Sequence, residues 1–412
     1  MHRILVQERR WLSEREFLQA LSFCFLLPGP EAQQLCTYAG WRLRGVCAGL
    51  LAGGLFILPG FFSILVLSYI YVIWREVGFV AALFFGIQTA LLGIVAQAML
   101  RLARRTIHSL WQVVVAAIAM MLMVAEIPFP AIVFLAGLVG WIMGRTGKAP
   151  AVMPSTEPLA GSVRQKTLSA LPLRFWRPLL TTGIGWLVLW WLPVVLLGLT
   201  LGGNSFWVQL GTFFGQLAAA SFGGAYAVLA WLTHAAVDDF QWVTATEMQA
   251  GLGLAETTPG PLIQVVQFVG FLAAWKEEAG LPPWLAGLGA SVLVTWMTFA
   301  PSFLWIFALS PAMERLLKSQ PLQAALQGVF AATVGAMVFL ATWFGVRILF
   351  LELNRVALFG KPLAVPLLAS FDPVAASLAV VAAVALFRGG WSVPRTLALN
   401  AALSLLIHRW WV

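Results

Sequence analysis

Residues 26–35 read Leu26-Leu27-Pro28-Gly29-Pro30-Glu31-Ala32-Gln33-Gln34-Leu35, directly after an apolar run. A second Pro-Gly-Pro stands 231 residues later, in Thr257-Thr258-Pro259-Gly260-Pro261-Leu262-Ile263-Gln264-Val265-Val266. Neither stretch can continue an α-helix. Each proline lacks an N–H, and the residue before each proline is pushed out of the α region. In water such a break is an ordinary loop. In hydrocarbon every unpaired backbone group costs several kcal/mol, so a break persists only where it is buried in protein or lines a polar cavity.

The surrounding chain decides between the two settings. Its 412 residues are 61% hydrophobic and 10% charged, with a mean hydropathy of +0.89, whereas soluble domains are about a quarter charged. Apolar runs near 48–73, 78–100, 109–125, 179–201, 284–310, 322–345 and 363–387 each reach the roughly 20 residues a transmembrane helix needs. Barrel strands alternate in polarity, so strands are not expected. The expectation is an all-α polytopic protein of the cytoplasmic (inner) membrane, with about ten to twelve segments.

The charged start, Met1 to Glu16, has no signal-peptide character. Cys24, Cys36 and Cys47 form neither a disulfide nor a metal pattern, so no metal or other cofactor is expected. The net charge of +9 follows from Lys and Arg gathering in cytoplasmic loops, and calls for no nucleic-acid partner.

Residues 145–178 stand apart as a basic, proline-rich stretch carrying Arg145, Lys148, Arg164, Lys166, Arg174 and Arg177. They read as a cytoplasmic linker between membrane halves at 1–144 and 179–412. The halves look homologous. Glu16 matches Glu247 at the offset of the two Pro-Gly-Pro motifs, and Pro59, Gly86 and Gly93 match Pro301, Gly328 and Gly335 at an offset of 242. Alternating crossings put Arg42, Arg44, Arg101, Arg104 and Arg105 inside and Arg75 outside. The helix from 179 then ends outside, the next returns to the cytoplasm near His234–Asp239, and a spanning second motif leaves Lys276 outside with Arg315 and Lys318 inside. That arrangement would be an inverted repeat.

Paired broken helices offer an anion freed N–H groups and positive dipole ends. Pro28, Gly29 and Pro30 in one half, and Pro259, Gly260 and Pro261 in the other, each precede a new helical run. Gln33 and Gln34 follow the first break, Gln264 and Gln267 the second, and Thr257 and Thr258 could turn hydroxyls toward an oxyanion. Gly223 and Gly224, in Ser221-Phe222-Gly223-Gly224-Ala225, admit close backbone approach just upstream of the second break. Glu16 and Glu247 are expected to cap helices, with binding of a cation across the repeat interface as the alternative, and His234, Asp238 and Asp239 to form a cytoplasmic edge rather than a proton relay.

"SFGGAYAVL" (221–229), "VTATEMQAGLGLAETTPGPL" (243–262) and "QFVGF" (267–271), with "ERRWLSEREFLQAL" (8–21), "LPGPEAQQL" (27–35), "GWRLRG" (40–45) and "FILPG" (56–60), resemble the chromate ion transporter family over essentially the whole chain. The resemblance implies a secondary carrier that exports chromate, handles sulfate as a similar dianion, and has two homologous halves. It also implies a Phe-Gly-Gly helix before the first motif, where this sequence begins almost at Arg9-Arg10-Trp11: either its start is recorded too far downstream or the chain is a shortened variant. A glutamine three residues before each motif is implied as well. Phe25 and Glu256 stand there instead, which makes Glu256 a candidate for coupling proton and anion movement. The alternatives are a carrier of sulfate or another oxyanion, and a non-transporting truncated membrane protein. A homodimer is compatible with the apolar surfaces. No Gly-x-Ser-x-Gly stretch, His/Cys cluster or extended Asp motif supports an enzyme.

Overall fold

The computed structural model describes residues 1–146, 173–222, 225–277, 280–358 and 361–411. Most of the basic linker, and Gly223 and Gly224, lie outside the described residues.

α1 (Glu14–Leu26) starts at a capping box in which Ser13 accepts from the Glu16 N–H and donates its own N–H to the Glu16 carboxylate. That backbone donor holds the Glu16 carboxyl below its ordinary range. The helix stops short of Pro28. Gly29, at φ +124°, takes a backbone turn that side chains resist, and α2 (Glu31–Arg44) begins behind Pro30. Arg42 comes back to 3.6 Å from Glu16. α1 and α2 are therefore the arms of a hairpin whose open ends share one end of the molecule, the near end.

α3 (Val46–Trp74), about 43 Å long, carries the chain to Arg75 at the far end. α4 (Gly78–Thr106) returns, followed by the shorter pair α5 (Leu110–Val124) and α6 (Phe129–Arg145). α7 (Leu173–Leu201) crosses again. α8 (Phe206–Ala219) and α9 (Ala225–His234) are about 21 and 15 Å long, too short to span singly. They fold into a second hairpin that brings Phe206 and Trp242 to 6.4 Å and Phe213 and Phe240 to 5.2 Å between ring centroids.

α10 (Ala245–Thr257) and α11 (Val265–Lys276) form the third hairpin. Its open ends are tied by Glu247, whose two oxygens lie 2.5 Å from Arg75 and from Lys276. Because Arg75 ends α3, this hairpin opens at the far end, opposite to the first. α12 (Pro283–Leu309) leads back to the near end, where Phe307 lies against Gly49. α13 (Met313–Lys318) and α14 (Gln320–Leu349) follow. A two-stranded antiparallel hairpin, β1 (Leu353–Leu358) and β2 (Lys361–Pro366), pairs Leu353 with Pro366. α15 (Pro373–Phe387) and α16 (Val393–Trp411) close the chain.

Several sequence expectations need correction. The second Pro-Gly-Pro segment does not span: it re-enters, because the Glu247–Lys276 ion pair holds both its ends together. His234–Asp239 does not lie opposite Arg75. The carbonyl of nearby Trp242 is 3.5 Å from Lys276 Nζ, placing both at the far end. The apolar run 363–387 is not one helix, since β2 extends to Pro366 and α15 starts only at Pro373, capped by Asp372. Among the described residues five helices, α3, α4, α7, α12 and α14, are long and apolar enough to cross a membrane. The protein is a multi-pass helical membrane protein.

The repeat extends to details of the backbone. π-helical turns at Arg3–Glu8 and Ala235–Asp239 precede positive-φ residues Arg10 (51°) and Gln241 (53°). Capping boxes then open α1 at Ser13 and α10 at Thr244. The halves also exchange partners. Gly86 and Gly93 of α4 lie against Asn400 and Ala382 on α16 and α15, whereas Gly328 and Gly335 of α14 lie against Ala136 and Ala116 on α6 and α5. A Cβ on Gly328 would fall 2.1 Å from the Ala136 carbonyl oxygen. Small residues let membrane helices approach this closely. Gly328→Val should therefore lower stability by about 1–3 kcal/mol, read as a lower detergent melting temperature. Gly345→Ala, which meets nothing within 4 Å, should leave it unchanged.

Candidate functional site

Each break rests against the proline-bearing long helix of the other half. A Cβ on Gly29 would lie 2.6 Å from Ser302 Oγ, beside Pro301 of α12, and 2.7 Å from Gln34 Nε2. A Cβ on Gly60, beside Pro59 of α3, would lie 2.6 Å from Gln264 Oε1 and 3.0 Å from the Pro259 carbonyl oxygen. A Cβ on Gly260, at φ +144°, would meet the Gly60 Cα at 3.2 Å. The tip of the α8–α9 hairpin joins the first break, because the Gly29 N–H donates to the Ser221 carbonyl at 3.0 Å. The first break thus rests partway along α12, and the second partway along α3.

Side chains supply much of the hydrogen bonding that the broken backbone has lost. Gln34 Nε2 donates to the Pro28 carbonyl at 2.7 Å. Gln264 Nε2 donates to Gln267 Oε1 at 3.2 Å, and Gln267 Nε2 to the Phe61 carbonyl at 3.0 Å. Pro301 leaves the Met297 carbonyl without its helical donor, and Trp190 Nε1 takes it at 2.9 Å. Other groups stay unmatched. Among the described residues, Gln33 Oε1, Gln34 Oε1, Gln264 Oε1, Thr298 Oγ1 and Ser302 Oγ are buried without a hydrogen-bond partner.

The residues singled out in the sequence fall into distinct roles. Pro28, Pro30, Pro259 and Pro261 shape the turns and have no N–H to offer. The Gly29 N–H is already taken by Ser221, and the Glu31 carboxylate folds onto its own N–H. The first-turn donors without an acceptor among the described residues are Ala32 and Gln33 in one half, and Leu262 and Ile263 in the other. Thr257 and Thr258 turn their hydroxyl hydrogens back to the Leu254 and Ala255 carbonyls, at 2.8 and 3.1 Å, and not toward a ligand. Glu256 sits half-buried in the last turn of α10.

The two tips differ in exposure. Pro28, Gly29 and Pro30 are buried, whereas Thr257, Pro259 and Gly260 are exposed. Each break also carries one carboxylate, Glu31 at the first and Glu256 at the second, at positions that do not correspond. Leu262 and Phe25 are their repeat partners.

Sequence reasoning missed Gly60 and Ser302, and gave no role to Ser221 in the stretch it singled out; all three hold the tips in place. The first two neighbour the matched prolines and share their offset of 242, a signal that was there to follow. It also missed the Arg75–Glu247–Lys276 triad, which joins residues too far apart in sequence to suggest contact. The triad adjoins a cavity of about 540 Å³ lined by Tyr71, Arg75, Phe85, Gln88, Thr246 and Ser404. Also at the far end, Asp238 joins His234 and Arg347, each at 3.1 Å.

Two substitutions probe this architecture. Gly60→Ala introduces no backbone strain in a helix but drives a methyl into Gln264 and Pro259, and should lower stability by about 1–3 kcal/mol. Glu247→Ala removes the cap and the shared partner of Arg75 and Lys276, and should cost about 1–2 kcal/mol. Thermal unfolding of the purified variants measures both.

The chromate transporter family model matches residues 1–141 and 208–407. The chain is 27% identical to a probable chromate transport protein of Synechococcus elongatus, over 82% of this chain and 76% of that one. It is also 27% identical to a chromate transport protein of Cupriavidus metallidurans, over 82% and 74% of the two chains. With a chromate transport protein of Pseudomonas aeruginosa it shares 28% identity over 81% and 73%. No solved structure matches it. Family members are transport proteins and not enzymes, in agreement with the sequence expectation. On the strength of a family match that covers both membrane halves, this chain belongs to the chromate transporter family.

Proposed function

We propose that the protein is a secondary active carrier that exports chromate from the cytoplasm across the inner membrane. The oxyanion sits between the broken-helix tips, held by the backbone N–H groups of Ala32 and Gln33 and of Leu262 and Ile263. One observation carries the reading. Two breaks of the same design enter from opposite ends and stop against each other's long helix, with first-turn donors unspent. Helix N-termini with free donors favour anions, and a buried setting strengthens that preference. The names of the relatives supply the anion.

Hairpins opening at opposite ends suit an inverted repeat, in which rocking one half against the other alternates access to a fixed site. The buried first tip and exposed second tip then correspond to a state open on one side. Glu256, beside the exposed tip, is the candidate proton carrier of the cycle.

Everted membrane vesicles test the reading. Chromate should accumulate inside them when a proton gradient is applied, and cells expressing the protein should hold less chromate. Vesicles that accumulate sulfate but no chromate would assign a different cargo. Glu256→Gln should weaken the dependence of chromate flux on the proton gradient while leaving downhill exchange, and unchanged coupling would remove Glu256 from the mechanism.

A further inference from the structure

The glutamines beside the two tips pose a problem that the backbone donors do not solve. Gln34 is fully buried and Gln264 is 1% exposed. Their orientation is fixed: Gln34 must turn its NH2 to the Pro28 carbonyl, and Gln264 must turn its own to Gln267, whose NH2 is committed to the Phe61 carbonyl. Reversing either amide would set oxygen against oxygen. Each therefore presents an oxygen, not an N–H, and neither oxygen has a partner among the described residues. A buried acceptor left this way costs about 1–3 kcal/mol. Both stand in the first turns after Pro-Gly-Pro, beside the N–H groups assigned to the anion.

A fully ionised tetrahedral dianion has only acceptors and cannot satisfy these oxygens. A protonated oxyanion can, since its bare oxygens accept from the backbone while its O–H donates to a glutamine. The carboxylates add a second argument. Glu31 on α2 and Glu256 on α10 flank the breaks, and Coulomb repulsion from an ionised carboxylate is half as large for a monoanion as for a dianion. The other titratable groups on these hairpins near the tips are Cys24 on α1 and Cys36 on α2. α3, α8 and α12 carry no Asp, Glu, His, Lys or Arg, and α11 has only Lys276 at its far end.

We propose that the species carried is hydrogen chromate, and that Gln34 and Gln264 select it over sulfate by accepting its O–H. This rests on the chromate-carrier reading and sharpens it. Hydrogen chromate loses its proton near neutral pH, whereas sulfate is fully ionised there. The two dianions are alike in shape, so protonation is the chemical difference available to the site. A site built to bond a ligand hydroxyl can reject the analogue lacking it by about 10⁴–10⁵-fold, because its own polar groups are then left unpaired.

The test uses the purified full chain in proteoliposomes, with chromate flux measured from pH 6 to 8 and sulfate as competitor. KM in total chromate should rise about tenfold per pH unit above the hydrogen chromate pKa, and sulfate should compete at least about 10²-fold less well than chromate. Gln264→Met and Gln34→Met, checked for folding by size-exclusion chromatography, should shift competition toward sulfate. The unmodified protein suffices if either variant fails to fold. A pH-independent KM with sulfate competing on equal terms would overturn the inference while leaving chromate transport intact. So would a pH dependence that disappears in Glu31→Gln or Glu256→Gln, since a protein carboxylate would then be the protonated group. Absence of chromate flux at every pH would instead overturn the carrier reading beneath it.

Discussion

The structure depends on one constraint: a backbone broken inside hydrocarbon must find its hydrogen bonds within the protein. Two Pro-Gly-Pro breaks create the need. It is met by the Gly29 N–H on Ser221, by Gln34 on Pro28, by Gln267 on Phe61 and by Trp190 on the carbonyl that Pro301 strands. Gln34 and Ser221 tie the first break to its own helix start and to the α8–α9 hairpin, Gln267 ties the second to α3, and Trp190 serves the proline kink of α12. The breaks thereby become the points at which the halves are locked together. What remains unpaired after this matching, a few N–H groups and glutamine oxygens, is what a ligand would meet.

The same constraint explains why the hairpins do not span. A helix of 10 to 14 residues reaches only part of the way across a bilayer, so it must turn back and bury its tip in protein. Three such hairpins need long helices to shield them, which α3 and α12 provide. The exchange of α4 and α14 between halves then encloses the centre, with Gly86, Gly93, Gly328 and Gly335 allowing close helix contact. The Arg75–Glu247–Lys276 triad fastens one hairpin at the far end, and Glu16–Arg42 does so for another at the near end.

Much of this was legible in the residues. Apolar runs of about 20 residues identified the long helices, and the recurring prolines and glycines identified the repeat. Glu16 and Glu247 cap their helices, as their equivalent positions before the two breaks suggested. Chain direction at the breaks was not legible, because a proline-glycine break fits both a kinked span and a re-entrant turn. Only the ion pairs across each hairpin's open end separate the two, and those join residues 26 and 29 positions apart. The run at 363–387 misled because its hydropathy hides a break that Asp372-Pro373, an N-cap followed by proline, marks within it. Within the site, residue type identified the breaks. The bonds that spend the hydroxyl hydrogens of Thr257 and Thr258 depend on three-dimensional placement.

A cryo-electron microscopy map of the full chain with chromate bound tests the central claim most directly. The account predicts tetrahedral density between the two tips, within hydrogen-bonding distance of the backbone at Ala32–Gln33 and Leu262–Ile263 and of a glutamine oxygen at Gln34 or Gln264. Density confined to the Arg75 cavity at the far end, with the tips empty, would contradict it.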